Sequence, residues 1–154
     1  MSSVISEELA EFLRGGLAVV VATRDQNLRP EIERGWGIQL GEGPSTVTVC
    51  VCVPPGSHAQ ANLAANGAIA MTCSLPSTYR TVQLKGTAVA LGAPTEEQLA
   101  AVRRHVDLFV EEVAELGVRP EGARSFAAGE LISVTVAVRE LYDQTPGAGA
   151  GAPL

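Results

Sequence analysis

Aromatic side chains are scarce in this sequence: one Trp, two Tyr and three Phe, 4% of the chain. So few flat rings leave no platform on which bases could stack, which argues against binding of single-stranded nucleic acid. Basic residues are also short, 11 Lys and Arg against 17 Asp and Glu, for a formal net charge of −6. An acidic chain repels phosphate backbones and anionic headgroups, so neither nucleic acid nor membrane is an expected partner. Long apolar runs are missing. Near the N-terminus the longest is Leu17 to Ala22, far below the ~20 residues of a membrane-spanning helix. Glu7, Glu8 and Glu11 stand where a secretion signal would carry positive charge. A cytoplasmic protein is expected.

Cysteine is limited to Cys50, Cys52 and Cys73, an odd set that builds no disulfide framework. With His58 they contain no C-x-x-C pair and no zinc-finger spacing, so no metal is expected and the thiols read as small buried hydrophobes. Histidine is limited to His58 and His105, and no G-x-S-x-G elbow is present, which leaves nucleophilic catalysis without its parts. His105 flanks the apolar stripe of a long helix and reads as a surface or packing residue. There is no Walker loop, and no G-x-G-x-x-G follows a strand.

What is present is a core. Apolar residues make up 46% of the 154 positions and charged residues 18%, the balance of one folded domain. Residues 6–14 pattern as a helix stopped by Gly15-Gly16. Leu17–Thr23 reads as a continuously apolar strand buried on both faces. Pro30–Leu40 reads as a second strand, with Ile32, Arg34, Trp36, Ile38 and Leu40 on one face and Gly35 and Gly37 on the other. Thr46–Val53 alternates Val47, Val49, Val51 and Val53 with Thr46, Thr48, Cys50 and Cys52.

Ser57–Asn66 carries a capping-box pattern, Ser57 with Gln60, and Gly67 closes the helix. Ala68–Cys73 and Arg80–Leu91 are further strands. Thr95 and Gln98 open a long helix whose stripe is Leu99, Val102, Val106, Phe109, Val113 and Leu116, ended by Gly117 and Pro120. Leu131–Tyr142 is the last strand. Most strand connections are too short for parallel crossovers, so the expected fold is mainly β with flanking helices, a six-stranded antiparallel barrel. It occupies residues 1–143, and 144–154 form a Gly-, Ala- and Pro-rich tail.

Three places can carry chemistry. At the junction before the second helix, Gly56, Ser57 and the unpaired N–H groups favour an anion such as phosphate; alternatively Ser57 only caps the helix. On the fifth strand Thr81, Gln83 and Lys85, with Arg80 beside them, can hydrogen-bond a flat heterocycle or pair with phosphate; alternatively they form a solvated outer face. Arg34 sits among Ile32, Trp36 and Ile38, where an unpaired charge is costly. It either pairs with Glu31 or Glu33 of a neighbouring chain or meets an anionic ligand. Gly35 and Gly37 suit close approach by something flat or by another backbone.

The order and spacing of FLRGGLAVVVATRDQNLRPEI, GSHAQANLAANGAIAMTC, TYRTVQLKG and ELYDQTPGAGAG resemble the pyridoxamine 5′-phosphate oxidase-like family, the flavin-binding split β-barrels, over most of the chain. The resemblance implies a homodimer with flavin mononucleotide (FMN) at the dimer interface. It implies contacts from Ser57 and His58 to the phosphate, with Arg34, Arg80, Thr81, Gln83 and Lys85 lining the rest and Trp36 packing nearby. His58 and Ala59 replace two basic residues that follow Gly-Ser in the family. Thr81 stands where vitamin-metabolising members place a flavin-binding Gln, with Gln83 two residues on. The closing GAGAPL has no counterpart of the Arg- and His-bearing segment that holds the vitamin. The resemblance thus implies a small flavin-dependent oxidoreductase of unspecified substrate. The alternatives are a protein using deazaflavin or haem, a non-catalytic cofactor-binding or sensing protein, and a dimeric scaffold with no cofactor.

Overall fold

The fold is taken from a computed structural model that describes residues 4–154; residues 1–3 of the expected 1–143 unit lie outside it. The elements run α1 (Glu7–Leu13), β1 (Ala18–Arg24), β2 (Pro30–Leu40), β3 (Thr46–Cys52), α2 (Ala59–Asn66), β4 (Ala68–Ser74), β5 (Thr81–Gly92), α3 (Glu96–Ala114), α4 (Pro120–Ser125), β6 (Leu131–Asp143) and β7 (Ala152–Pro153). The strands are ordered β3-β2-β1-β4-β5-β6, all pairs antiparallel, and a β3–β6 pairing closes them into a six-stranded barrel. The two residues of β7 pair with Tyr142 and Asp143, so the end of the tail lies along β6.

Alternation explains the barrel. Val19 and Val21, Val47, Val49 and Val51, Val82 and Leu84, and Val134, Val136 and Val138 all point inward and are almost fully buried. Such side chains, each contributing roughly 1.5–3 kcal/mol on burial, make the dominant stabilising contribution. The ends are closed by helices: α1 packs Leu9 and Leu13 into one, and α2 packs Leu63 into the other. Ser6 caps α1 by accepting the Leu9 N–H. The Thr95–Gln98 capping box forms in full at the start of α3.

Four expectations are corrected. β1 is not buried on both faces: Val19, Val21 and Thr23 are buried, whereas Ala18, Val20 and Ala22 are half-buried. The common face on β2 breaks at a bulge between Trp36 and Gln39. Gly37 there has a φ of +67°, a conformation that glycine adopts without a steric penalty. Consequently Ile38 joins the barrel interior while Trp36 lies outside it. The Ser57–Gln60 capping box does not form, since α2 starts at Ala59 with His58 as N-cap and no side-chain cap bond. Leu116 falls beyond the end of α3 and is exposed. α4 follows where the pattern gave only a helix stop at Pro120.

Candidate functional site

The outer surface of the barrel divides into two regions. Over β2 and β3 it is covered by α3 and α4, and a second core fills the gap: Trp36, Cys50 and Cys52 against Val102, Val106 and Phe109. Trp36 is 2% exposed, and its ring meets His105 and Phe109 edge-on at 5.0 and 5.4 Å. Its indole N–H has no full hydrogen-bond partner and interacts only weakly with the Cys52 thiol. Trp36 is therefore enclosed by this layer and does not reach a surface a ligand could touch.

His105 is buried as well, a residue whose structural role the sequence pattern understated. Its Nδ1 accepts the Gly37 N–H at 2.9 Å and its Nε2–H donates to the Leu17 carbonyl at 2.8 Å. Burial pushes its pKa below the ordinary 6.5, opposed by the Leu17 bond. The neutral ring thus ties α3 to both β1 and β2. A side chain at Gly37 would lie 2.9 Å from the Val102 backbone nitrogen, so the close approach there is by another backbone. At Gly35 an added Cβ would instead meet the interior side chains Val19 and Val21.

The cysteines are free and buried. Burial pushes the Cys50 thiol up to about 11 and the Cys73 thiol up to about 12. Neither is a thiolate at neutral pH, so neither is a reactive nucleophile. Among the described residues no cluster of three His, Cys, Asp or Glu is placed to hold a metal ion.

The other region is the outer face of β1, β4 and β5. Here the side chains are small: Val20 and Ala22 on β1, Ala70 and Thr72 on β4, all half-buried. Register places polar groups around them. Arg34 is opposite Val20, Val20 opposite Thr72, and Thr72 opposite Gln83. With adjacent strands ~4.8 Å apart, Arg34 and Gln83 are roughly 14 Å apart across a shallow floor. Gln83 Nε2 donates to Thr72 Oγ1 at 3.1 Å. The Arg34 guanidinium lies over the Phe126 ring at 4.7 Å, a cation–π contact supplied by the residue that caps α4.

One step along the same face, Ala22, Ala70, Lys85 and Glu140 share a row. A cavity of about 390 Å³ opens here, lined by Arg24, Lys85, Arg139 and Glu140 among others. The Lys85 ammonium also lies 5.2 Å from the Tyr142 ring centre. Tyr142 donates its hydroxyl proton to Glu140 at 2.7 Å, which raises its pKa. Arg24 and Arg139 are cavity-lining residues that the strand-by-strand reading did not single out. Each sits at a strand end or bulge, where only the register shows which cations converge.

The structure separates two expected members from this group. Arg80 lies immediately before β5, paired with Glu8 at 3.0 Å and set over the Phe12 ring. Thr81 is buried beside it, its hydroxyl bonded to Ser74 and to the Tyr79 carbonyl. Both tie β5 to its surroundings at the α1 end.

The junction before α2 is also occupied. The His58 N–H donates to both carboxylate oxygens of Glu31, at 3.0 and 2.9 Å, and His58 Nδ1 is 3.5 Å from Glu31. Ser57 Oγ accepts the Ala59 N–H at 3.2 Å. A helix N-terminus attracts an anion, and here the anion comes from the chain itself. Three cations, Arg24, Lys85 and Arg139, and one acid, Glu140, line the 390 Å³ cavity.

No family model matches the sequence, and no curated protein matches it. Solved structures do. An F420 reductase superposes with a TM-score of 0.59 at 15% identity, covering 89% of this chain and 98% of that one. HupZ of Group A Streptococcus gives 0.55 at 16% identity, covering 96% and 99%. A pyridoxamine 5′-phosphate oxidase-related, FMN-binding protein of Nostoc punctiforme gives 0.51 at 12% identity, covering 92% and 85%. At these identities the likeness is one of fold: the chain is a closed six-stranded antiparallel barrel with flanking helices, the split barrel of pyridoxamine 5′-phosphate oxidase-like proteins.

Proposed function

We propose that this protein binds a flavin-type cofactor on the outer face of β1, β4 and β5, as a homodimer whose second copy covers that face. The observation that carries the reading is the contrast along this surface. A floor of small side chains, open to a flat ring, is bordered by Gln83 and Thr72 and ends in a cavity lined by Arg24, Lys85 and Arg139. Amide and hydroxyl groups suit the polar edge of an isoalloxazine, and the cations suit a phosphate on its side chain. These residues fit FMN, whereas the α2 N-terminus, held by Glu31, does not offer its phosphate a free site. A bound flavin supplies electron or hydride transfer, and the chain positions it and excludes water.

The structural neighbours that are FMN-binding or an F420 reductase support the same class of ligand. Half-buried apolar side chains such as Val20 and Ala22, with exposed Ile32 at their edge, support the dimer, because interface cores are apolar.

The test is an absorbance spectrum of the purified protein, followed by titration with FMN, riboflavin, a deazaflavin and haem, with light scattering on each sample. FMN is expected to bind a dimer, and Lys85→Ala to weaken FMN more than riboflavin. Haem or deazaflavin binding without FMN binding overturns the choice of flavin. Binding of none of the four returns the chain to a cofactor-free scaffold, and a monomer that binds FMN overturns the dimer.

A further inference from the structure

A second concavity lies on the α3 side, remote from the cation-lined cavity. The C-terminal end of α1, the bulged end of β2 and the middle of α3 enclose about 480 Å³, within the usual range of small-molecule sites. Its walls are mixed: Leu40 and Leu108 present apolar surface and Arg14, Gln39 and Arg104 polar surface, while Leu13 and Ile38 are almost fully buried. Leu40 and Leu108 remain 43% and 40% exposed, so apolar surface is left facing water at the mouth, and a ligand's apolar body would cover it.

The floor is rigid. His105 spends both ring nitrogens on Gly37 and Leu17 and offers neither to a ligand. A Cβ on Gly16 would lie 2.5 Å from the Leu108 carbonyl oxygen, so the chain before β1 is pressed against α3 and fixes the second wall.

Two cations stand at the rim, and one of them is already neutralised. Arg14 and Arg104 are the charged residues that line it alongside the neutral His105. Arg14 is already shared between Glu11 at 3.1 Å and Glu7 at 3.6 Å. Arg104, like Arg29, Arg103 and Arg119, forms no ion pair or side-chain hydrogen bond among the described residues, and of these four it alone lines the groove. In a chain of net charge −6, a guanidinium left without an acid beside the exposed Leu40 and Leu108 is matched by a monoanion with an apolar body.

We propose that this groove binds a small amphipathic carboxylate, its apolar part against Leu40 and Leu108 and its carboxylate on Arg104. The guanidinium fork matches a carboxylate bidentately. Because the groove and the cation-lined cavity share no lining residue, binding does not depend on the flavin reading.

The test uses octanoate, octanol and octylamine, followed by calorimetry and by backbone amide shifts of the full chain. Octanoate is expected to bind and to shift the amides of residues 37–40 and 101–108, with octylamine at least about tenfold weaker. Arg104→Gln is expected to weaken octanoate about fivefold or more while leaving octanol unchanged, and Arg104→Lys to restore part of the loss. Arg104 is exposed, so the variants should melt as the parent does. Equal binding of octanoate and octylamine, unchanged octanoate affinity in Arg104→Gln, or shifts confined to the Lys85 cavity overturns the proposal. So does no response at about 10 mM octanoate, where even a millimolar site would be nearly filled.

Discussion

The two outer regions of one barrel are built on opposite plans. Over β2 and β3 the chain spends its one Trp, two of its three Cys and the stripe of α3 on a sealed layer. The polar groups inside that layer are neutral, as in the bonds of His105 to Gly37 and Leu17. On the outer face of β1, β4 and β5 no helix is laid down among the described residues, the side chains shrink to Ala, Val and Thr, and Arg24, Lys85 and Glu140 stand at the margin. A buried polar group is tolerated only when fully bonded, so the sealed side can hold structure but cannot meet a charged ligand. The open side gives up packing and keeps Lys85, Arg24 and Arg34 in reach of one.

The sharpest way to break this contrast is to empty the sealed layer. Trp36→Ala removes the ring that His105 and Phe109 pack against, and a large aromatic lost from a core costs about 3–5 kcal/mol. Urea unfolding should show that loss, on the scale of a typical domain's whole stability. A change below about 1 kcal/mol would mean that α3 is not bound down as described.

The next effect concerns His105. Its native pKa lies below 6.5 because burial disfavours the charged ring. The unfolded chain therefore takes up the proton first as pH falls. Stability is full above about 6.5 and declines below it, by up to about 1.4 kcal/mol per pH unit, until the depressed native value is passed. Protonation also removes the lone pair that accepts the Gly37 N–H. His105→Leu should leave Gly37 N–H and the Leu17 carbonyl unpaired, at about 1–3 kcal/mol each, and should lose this contribution to the pH dependence. A wild-type unfolding free energy that stays level from pH 7.5 to 5, a span chosen about the ordinary value of ~6.5, contradicts the bonding described.

The barrel was legible because valine alternation and capping signals are local. Val47, Val49 and Val51, and Val134, Val136 and Val138, declare their faces by period alone. The bulge at Gly37 was not legible, since alternation on β2 reads the same with or without one extra residue, and the two readings place Ile38 on opposite sides. The candidate site was legible only where its residues follow strand period. Gln83 and Lys85 stayed on their expected face. The Glu31–His58 contact joins residues 27 positions apart and belongs to tertiary register, as does the convergence of Arg24 and Arg139 on Lys85.

Glu31 gives the next smaller effect and sharpens the contrast at its boundary. Its carboxylate neutralises the α2 N-terminus, a contact worth roughly 0.3–1 kcal/mol at a partly exposed site. Glu31→Gln should cost about that much in stability and remove a negative charge near any phosphate. FMN affinity should then rise a few-fold while riboflavin affinity holds. An equal change for both ligands would place the phosphate elsewhere, beyond the reach of Glu31.

Gln83→Ala should have the smallest effect on folding and is the finest test of the open face. Gln83 is half-buried, and among the described residues its side chain makes one hydrogen bond, to Thr72 on the neighbouring strand. With solvent able to replace that bond, the loss should stay within about 0.5–1 kcal/mol. In a cofactor-bound dimer the same amide would be enclosed, and deleting it would strand a polar atom of the ligand. Flavin affinity should therefore fall more than folding stability does, by about fivefold or more. The informative quantity is the ratio of the two losses. If stability drops by ~2 kcal/mol or more while flavin affinity is unchanged, Gln83 belongs to the framework, as Thr81 does, and the open face begins at Lys85.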